Sequence, residues 1–276
     1  KAAAANEIIL TSDLTTASDV ALTTGTLQLA TNTVDLTVNG DFTTATGAGI
    51  LSAEGVTLTF NSTADFGGAD ADLETDAATN FIFEGTGLIQ NFPDQTGPML
   101  FNQFTYNRPG ETLTLLAAGT MSNIGAASPE VNILGGTVLY AADDQLVDIA
   151  ATTTTIDVNG TLDFGGFDNT FNGTITGTGT IDADNGGDDI TFTSDLYDFT
   201  GTFLTAGGAG ETLLSFTTAA GASIELNSSI TALTQLLLLD GGAKTTVTLN
   251  NDLTIETAIT PATDLDNGEI VVNGYT

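Results

Sequence analysis

Val34-Asp35-Leu36-Thr37-Val38-Asn39-Gly40-Asp41-Phe42 alternates apolar with polar side chains, turns at Asn39-Gly40 and resumes at Phe42. The pattern returns as Ile156-Asp157-Val158-Asn159-Gly160-Thr161-Leu162-Asp163-Phe164. A third relative is Thr248-Leu249-Asn250-Asn251-Asp252-Leu253-Thr254-Ile255. A period of two sets Leu36 and Val38 on one face of a strand and Thr37 on the other. A strand, an Asn-Gly corner and a second strand also describe a hairpin. The motif by itself leaves the topology open.

The spacing of such runs narrows it. Strand-like runs begin at residues 34, 56, 81, 101, 113, 131 and 156, so successive steps are 22, 25, 20, 12, 18 and 25 residues. The step of 12 reads as two strands inside one unit. Further runs follow at Ile190–Phe192, Leu213–Phe216, Leu236–Leu239, Val247–Leu249 and Ile270–Val272. Irregular periods of 20 residues or more favour a solenoid whose coils each contribute two or three strands. The expected fold is therefore all-β, a right-handed parallel β-helix, with a two-sheet, pilin-like β-sandwich as the alternative. Abundant Thr fits this reading, because a β-branched hydroxyl side chain suits a pleat that faces water.

Composition limits what the molecule can do. The chain has 276 residues, with 35 acidic side chains against 3 basic ones (Lys1, Arg108 and Lys244), a net charge of −32. Such a surface repels phosphates and anionic headgroups, which excludes nucleic acid and acidic membranes as partners. There is no His, Cys or Trp, so imidazole bases, thiolate nucleophiles and thiolate or imidazole metal sites are absent. Carboxylate chemistry, binding and architecture remain. At 41% hydrophobic and 14% charged residues the chain can bury a core. No run approaches the roughly 18 apolar residues of a membrane span; the longest candidate, Leu233 to Leu239, is interrupted by Thr234 and Gln235.

Residues 1–12 stand apart as an N-terminal extension, and residues 13–276 read as one β-solenoid domain. Four of the five prolines lie between 91 and 130, which suggests a loop-rich insertion there. A chain that starts at Lys1 rather than Met suits a protein secreted after signal-peptide removal, at the cell surface or beyond it. Phe101-Asn-Gln-Phe-Thr-Tyr-Asn-Arg-Pro-Gly-Glu-Thr-Leu-Thr-Leu-Leu116 resembles a repeat of secreted surface proteins from gliding and marine bacteria. The stretch from Gly160 to Ile181, with its Gly-Thr-Ile-Thr-Gly-Thr-Gly-Thr-Ile ending, is similar to the strand repeats of autotransporter passengers. The resemblance implies right-handed parallel β-helices used in adhesion, surface coats and filaments, and it assigns no functional residue.

Two acidic loops are candidate calcium ligands: Asp182, Asp184, Asp188 and Asp189, and Asp264, Asp266 and Glu269. Closely spaced carboxylates on Gly-rich loops are what hard, oxygen-seeking cations prefer. The same residues are also what solvated turns are made of. A third run, Asp70, Asp72, Glu74 and Asp76, has both readings too. Paired carboxylates could serve a glycosidase, but a lyase for acidic sugars would need basic residues that are scarce here. Thr-x-Thr pairs such as Thr57/Thr59 and Thr246/Thr248 are too irregular for an ice-binding face. Asn61, Asn159, Asn172 and Asn227 carry glycosylation signals. The expected role is a structural subunit of an extracellular filament or surface layer, a homopolymer joined head to tail. A monomeric adhesin that binds glycans and, behind it, a carbohydrate-active enzyme are the alternatives. Uncapped strand edges are expected at Glu7-Ile8-Ile9-Leu10 and at Glu269-Ile270-Val271-Val272, with residues 1–12 as a strand that a neighbour could accept.

Overall fold

A computed structural model describes residues 6–45, 49–67, 73–92, 98–117, 119–122, 126, 130–147, 155–171, 174–185, 189–192, 197–205, 213–216, 223–225, 229–238, 245–249, 251–261 and 268–272. They contain strands and no helix. The chain divides into two compact units, Lys1–Leu139 and Tyr140–Thr276. Within each unit the strands pair in parallel.

In the first unit three columns of strands repeat in strict order. One column stacks Glu7–Ile9, Gly25–Gln28, Gly49–Ser52 and Leu73–Glu74. A second runs through Leu14–Thr16, Leu36–Val38, Thr57–Phe60, Asn80–Glu84, Gln103–Thr114 and Glu130–Leu139. A third holds Val20–Leu22, Phe42–Thr44, Ala64–Asp65 and Ile89–Gln90. Visiting the columns in turn and then starting again one layer up is what defines a parallel β-helix. A sandwich would need antiparallel neighbours, so the alternative is set aside. The right-handed sense is the one that parallel crossovers take.

Register shows why the repeat is possible. Leu14, Leu36, Leu58, Phe81, Phe104 and Val131 lie in one row. Two residues further on, Thr16, Val38, Phe60, Phe83, Tyr106 and Ile133 form a second row. From Leu36 and Val38 onward, every member of both rows is buried. The row between them, Thr15, Thr37, Thr59, Ile82, Thr105 and Asn132, faces outward and is exposed or half-buried. Like stacks on like because only a matching row keeps a flat, filled core at each step.

The core is aromatic where the columns meet. Phe83 lies within 5.0–6.4 Å, centroid to centroid, of Phe60, Phe66, Phe81, Phe92 and Phe104. Phe42 reaches Phe60 at 5.0 Å and Phe66 at 5.7 Å. These rings mix stacked and edge-on contacts, the arrangements that ring quadrupoles favour.

Between residues 91 and 130, Pro98–Leu100 pairs with Thr120–Ser122, and Gln103–Thr114 is hydrogen-bonded on both sides, to Asn80–Glu84 and Glu130–Leu139. Pro109 accompanies a widened corner. Register shifts between Tyr106 and Asn107 and between Asn107 and Thr112 let Arg108–Glu111 bulge against Gly136, leaving Pro109 and Gly110 exposed. Gly136 has φ +81°, and a Cβ there would collide with the Arg108 carbonyl oxygen.

In the second unit, Thr155–Val158, Thr174–Gly177 and Tyr197–Phe199 stack in one column, and Thr161–Asp163, Thr180–Ala183 and Thr202–Thr205 in another. A third column holds Asn169–Phe171, Asp189–Phe192, Leu213–Phe216, Ala232–Leu238 and Thr254–Pro261. Ser223–Glu225, Thr245–Leu249 and Gly268–Val272 form a fourth. The quoted repeats from Val34 and Ile156 occupy the same kind of place in the two units: strand, tight corner, strand.

Candidate functional site

Corner carboxylates have a shared task. The Asp35 N–H donates to Asp13 Oδ1 at 3.0 Å, and the Thr57 N–H donates to Asp35 Oδ1 at 2.7 Å. The Asp41 N–H donates to Asp19 Oδ1 at 2.9 Å, and Asp41 Oδ1 then accepts the Ser62 hydroxyl at 2.7 Å. In the second unit the Asp168 N–H reaches Asp143 Oδ1 at 3.1 Å, and the Asp189 N–H reaches Asp168 Oδ1 at 3.0 Å. Asp13, Asp19, Asp35, Asp143 and Asp168 thus each accept a backbone N–H of the coil that follows, and Asp41 accepts a hydroxyl there. Asparagines do likewise: the Asn61 amide donates to Asn39 Oδ1 at 2.7 Å, and the Asn102 amide to Asn80 Oδ1 at 3.0 Å.

The acidic loop candidates divide accordingly. Asp189 is a member of a ladder, and burial together with Asp168 raises its pKa. Burial also raises that of Asp144, with Asp143 and Asp168 adding to it and the Thr170 N–H opposing it. Asp182 lies in register with Asp163 one coil earlier, and its Oδ1 accepts the Asp184 N–H at 3.3 Å. Burial first, then the neighbouring carboxylates of Asp184 and Asp163, push Asp182 up to about 6. Asp188, Asp264 and Asp266 lie outside the described residues, as do Asp70 and Asp72. Glu269 belongs to the strand Gly268–Val272. Among the described residues no three acidic side chains are grouped so as to hold a metal ion.

Asp182 binds its proton more tightly in the folded chain than in the unfolded one. Its folded-state pKa exceeds the ordinary value of 3.8, so the folded chain holds the extra proton between about pH 4 and pH 6. Stability contributed by the protonated form is complete below pH 4 and is lost as pH rises through 6. Asp182→Asn, which cannot ionise and keeps the acceptor for the Asp184 N–H, should raise the thermal midpoint at pH 7. It should also flatten the pH dependence between 4 and 6. An unchanged profile would show that Asp182 is fully relieved by solvent.

Arg108 is the one described cation, and it is buried. Its guanidinium donates to the carbonyl oxygens of Phe60 at 2.8 Å, Ser62 at 2.6 Å, Gly87 at 2.5 Å and Thr86 at 3.3 Å. Burial pulls its pKa down, while Tyr106 and Glu111 nearby oppose that. Burial pushes Tyr106 up to about 12. Arg108 is therefore committed to the corners of two earlier coils rather than presented to a ligand. Alternation could have revealed it, because Phe104 and Tyr106 point inward and Arg108 is next in that row.

The candidate joint residues sit at a strand edge. Glu7, Ile8 and Ile9 pair in parallel with Thr26, Leu27 and Gln28 of their own chain. The Leu10 N–H donates to the Gln28 carbonyl at 3.1 Å. Among the described residues nothing pairs with the other edge of Glu7–Ile9, Leu14–Thr16 or Val20–Leu22, each of which begins its column. Ile8 is 63% exposed, Ile9 47% and Leu14 36%. Ile270, Val271 and Val272 pair with Val247, Thr248 and Leu249, and no described strand follows Gly268–Val272 in its column.

Of the glycosylation signals, Asn61 and Asn159 have amides already bonded, to Asn39 Oδ1 and to Asp157 Oδ2, and Asn172 and Asn227 lie outside the described residues. No helix long and apolar enough to cross a membrane occurs among the described residues. No protein-family model matches the chain, and neither the curated proteins nor the solved structures searched contain a match.

Proposed function

We propose that this chain is a structural subunit of an extracellular filament or surface layer and associates head to tail with copies of itself. The observation that carries the reading is the open edge of the first coil. Large apolar side chains at Ile8, Ile9 and Leu14 are exposed there, beside strand backbone with no described partner. Such an edge templates further pairing unless something covers it. Three further features support the reading. The chain lacks imidazole and thiol groups, corner carboxylates such as Asp13 and Asp143 bond to the coil that follows them, and its repeats resemble those of bacterial surface proteins.

A net charge of −32 opposes self-association, and salt should relieve it, since the Debye length falls from about 10 Å at 0.1 M to about 3 Å at 1 M. Light scattering and negative-stain images across a concentration and NaCl series should show polymers that lengthen with both. Calcium, the ion expected at the acidic loops, would act on the same repulsion. Longer polymers in CaCl2 than in NaCl of equal ionic strength would point to specific calcium seats. A protein that stays monomeric throughout the series is not a filament subunit.

A further inference from the structure

The filament reading leaves two kinds of joint: the end of one subunit stacks on the next, or residues 1–12 leave their own chain and add a strand to a neighbour. The hydrogen bonds of the first coil separate them. Asn6 accepts from the Thr26 N–H at 3.0 Å, and Leu10 donates to the Gln28 carbonyl at 3.1 Å. In a parallel strand, alternate residues turn their N–H and C=O to opposite neighbours. Residues 6, 8 and 10 therefore face the second coil, and Glu7 and Ile9 face away from it. Leu14 donates to the Asp35 carbonyl and Thr16 accepts from the Asn39 N–H, both at 2.9 Å, which turns Thr15 outward. Val20 donates to the Asp41 carbonyl and Leu22 accepts from the Ala45 N–H, both at 2.8 Å, which turns Ala21 outward. All four outward residues are exposed.

We infer that the joint is end stacking: the outward backbone groups of Glu7, Ile9, Thr15 and Ala21 pair in parallel with the last strands of a second copy, while Glu7–Ile9 stays on its own chain. The inference rests on the filament reading and deepens it. A second copy fits because its strands Thr254–Pro261 and Gly268–Val272 each have one described neighbour, so they carry outward groups of their own. The two edges of a parallel stack are unlike, so one copy's trailing edge meets another's leading edge, and the contact can repeat from copy to copy. Ile8, Ile9 and Leu14 would lose their exposure in the same step. Glu7, Asp13 and Asp19 on the first coil make the contact depend on screening.

Two variants test it. Ile9→Pro with Ala21→Pro removes two outward N–H groups and leaves the bonds to the second coil in place, as proline on an edge strand allows. The double variant should keep its circular dichroism and thermal midpoint, and fail to polymerise in salt that polymerises the wild type. Ile8→Cys with Leu27→Cys uses a register pair in a chain that has no other cysteine, so an oxidised bond ties Glu7–Ile9 to its own coil. The oxidised protein should polymerise as the wild type does. If it polymerises only after reduction, the strand is donated and end stacking is overturned. Unimpaired polymers from the double proline variant would overturn it as well. Assembly that halts at dimers means like edges have met, which also overturns it. A wild type that never polymerises removes the filament reading itself, so the two failures stay distinct.

Discussion

Arg108→Met should unfold the first unit at a markedly lower temperature than the wild type. The substitution keeps most of the side-chain volume and removes four hydrogen bonds, to Phe60, Ser62, Thr86 and Gly87. An abandoned buried acceptor costs about 1–3 kcal/mol, and water entering the widened corner will recover part of that for several of the four. A net loss of about 3 kcal/mol is expected, equivalent to a fall in Tm of roughly 6–12 °C for a domain of this size. Arg108→Lys should recover only part of it, because a compact ammonium cannot span carbonyls from two coils as the planar fork does. Thermal unfolding followed by circular dichroism decides the matter. A loss below about 1 kcal/mol for the Met variant would mean that the carbonyls find other partners and that Arg108 is incidental to the corner.

Phe83→Ala should cost about as much by another mechanism. The ring is fully buried and in contact range of Phe60, Phe66, Phe81, Phe92 and Phe104, so its removal leaves a cavity whose walls are rings belonging to several coils. Such walls are tied to their own coils and cannot collapse freely. Phe→Ala in a core of this kind costs about 3–5 kcal/mol. Leu88→Ala is the control: Leu88 is 52% exposed, and its truncation should lie within about 0.5 kcal/mol of the wild type. Urea titration of both variants checks the contrast. If the two lose the same stability, the aromatic stack is not what holds the first unit together.

The two predictions also mark what was legible in the chain. Phe83 announces itself: Phe81-Ile82-Phe83 alternates, and both rings are buried while Ile82 is turned outward. Arg108 does not announce its partners, since Phe60 and Gly87 lie 48 and 21 residues away and bind through backbone oxygens that any residue would offer. The acidic loops show a third relation. Carboxylates spaced like ligands were visible in Asp182, Asp184 and Asp189, but nothing local shows that Asp189 bonds through its N–H to Asp168 of the preceding coil. Asp182 stacks on Asp163, a like charge, because strand register puts it there.

Strand identity, inward and outward faces and corners were set by the sequence alone. A period of two is a local property, and Leu36, Thr37 and Val38 carry it wherever the strand ends up. The absence of His and Cys narrows chemistry in any fold. Tertiary structure decided which strand lies beside which. Asn39-Gly40 could have closed a hairpin, yet the Asn39 N–H bonds to Thr16 on the coil before, and the chain goes on to Phe42 in another column. That choice is not written at Asn39. It is made by whole rows, from Leu36 to Val131 and from Val38 to Ile133, which fill one core only when the layers stack in parallel. Burial then assigns the exceptions. Arg108 takes the inward place its alternation dictates, where backbone carbonyls accept its guanidinium.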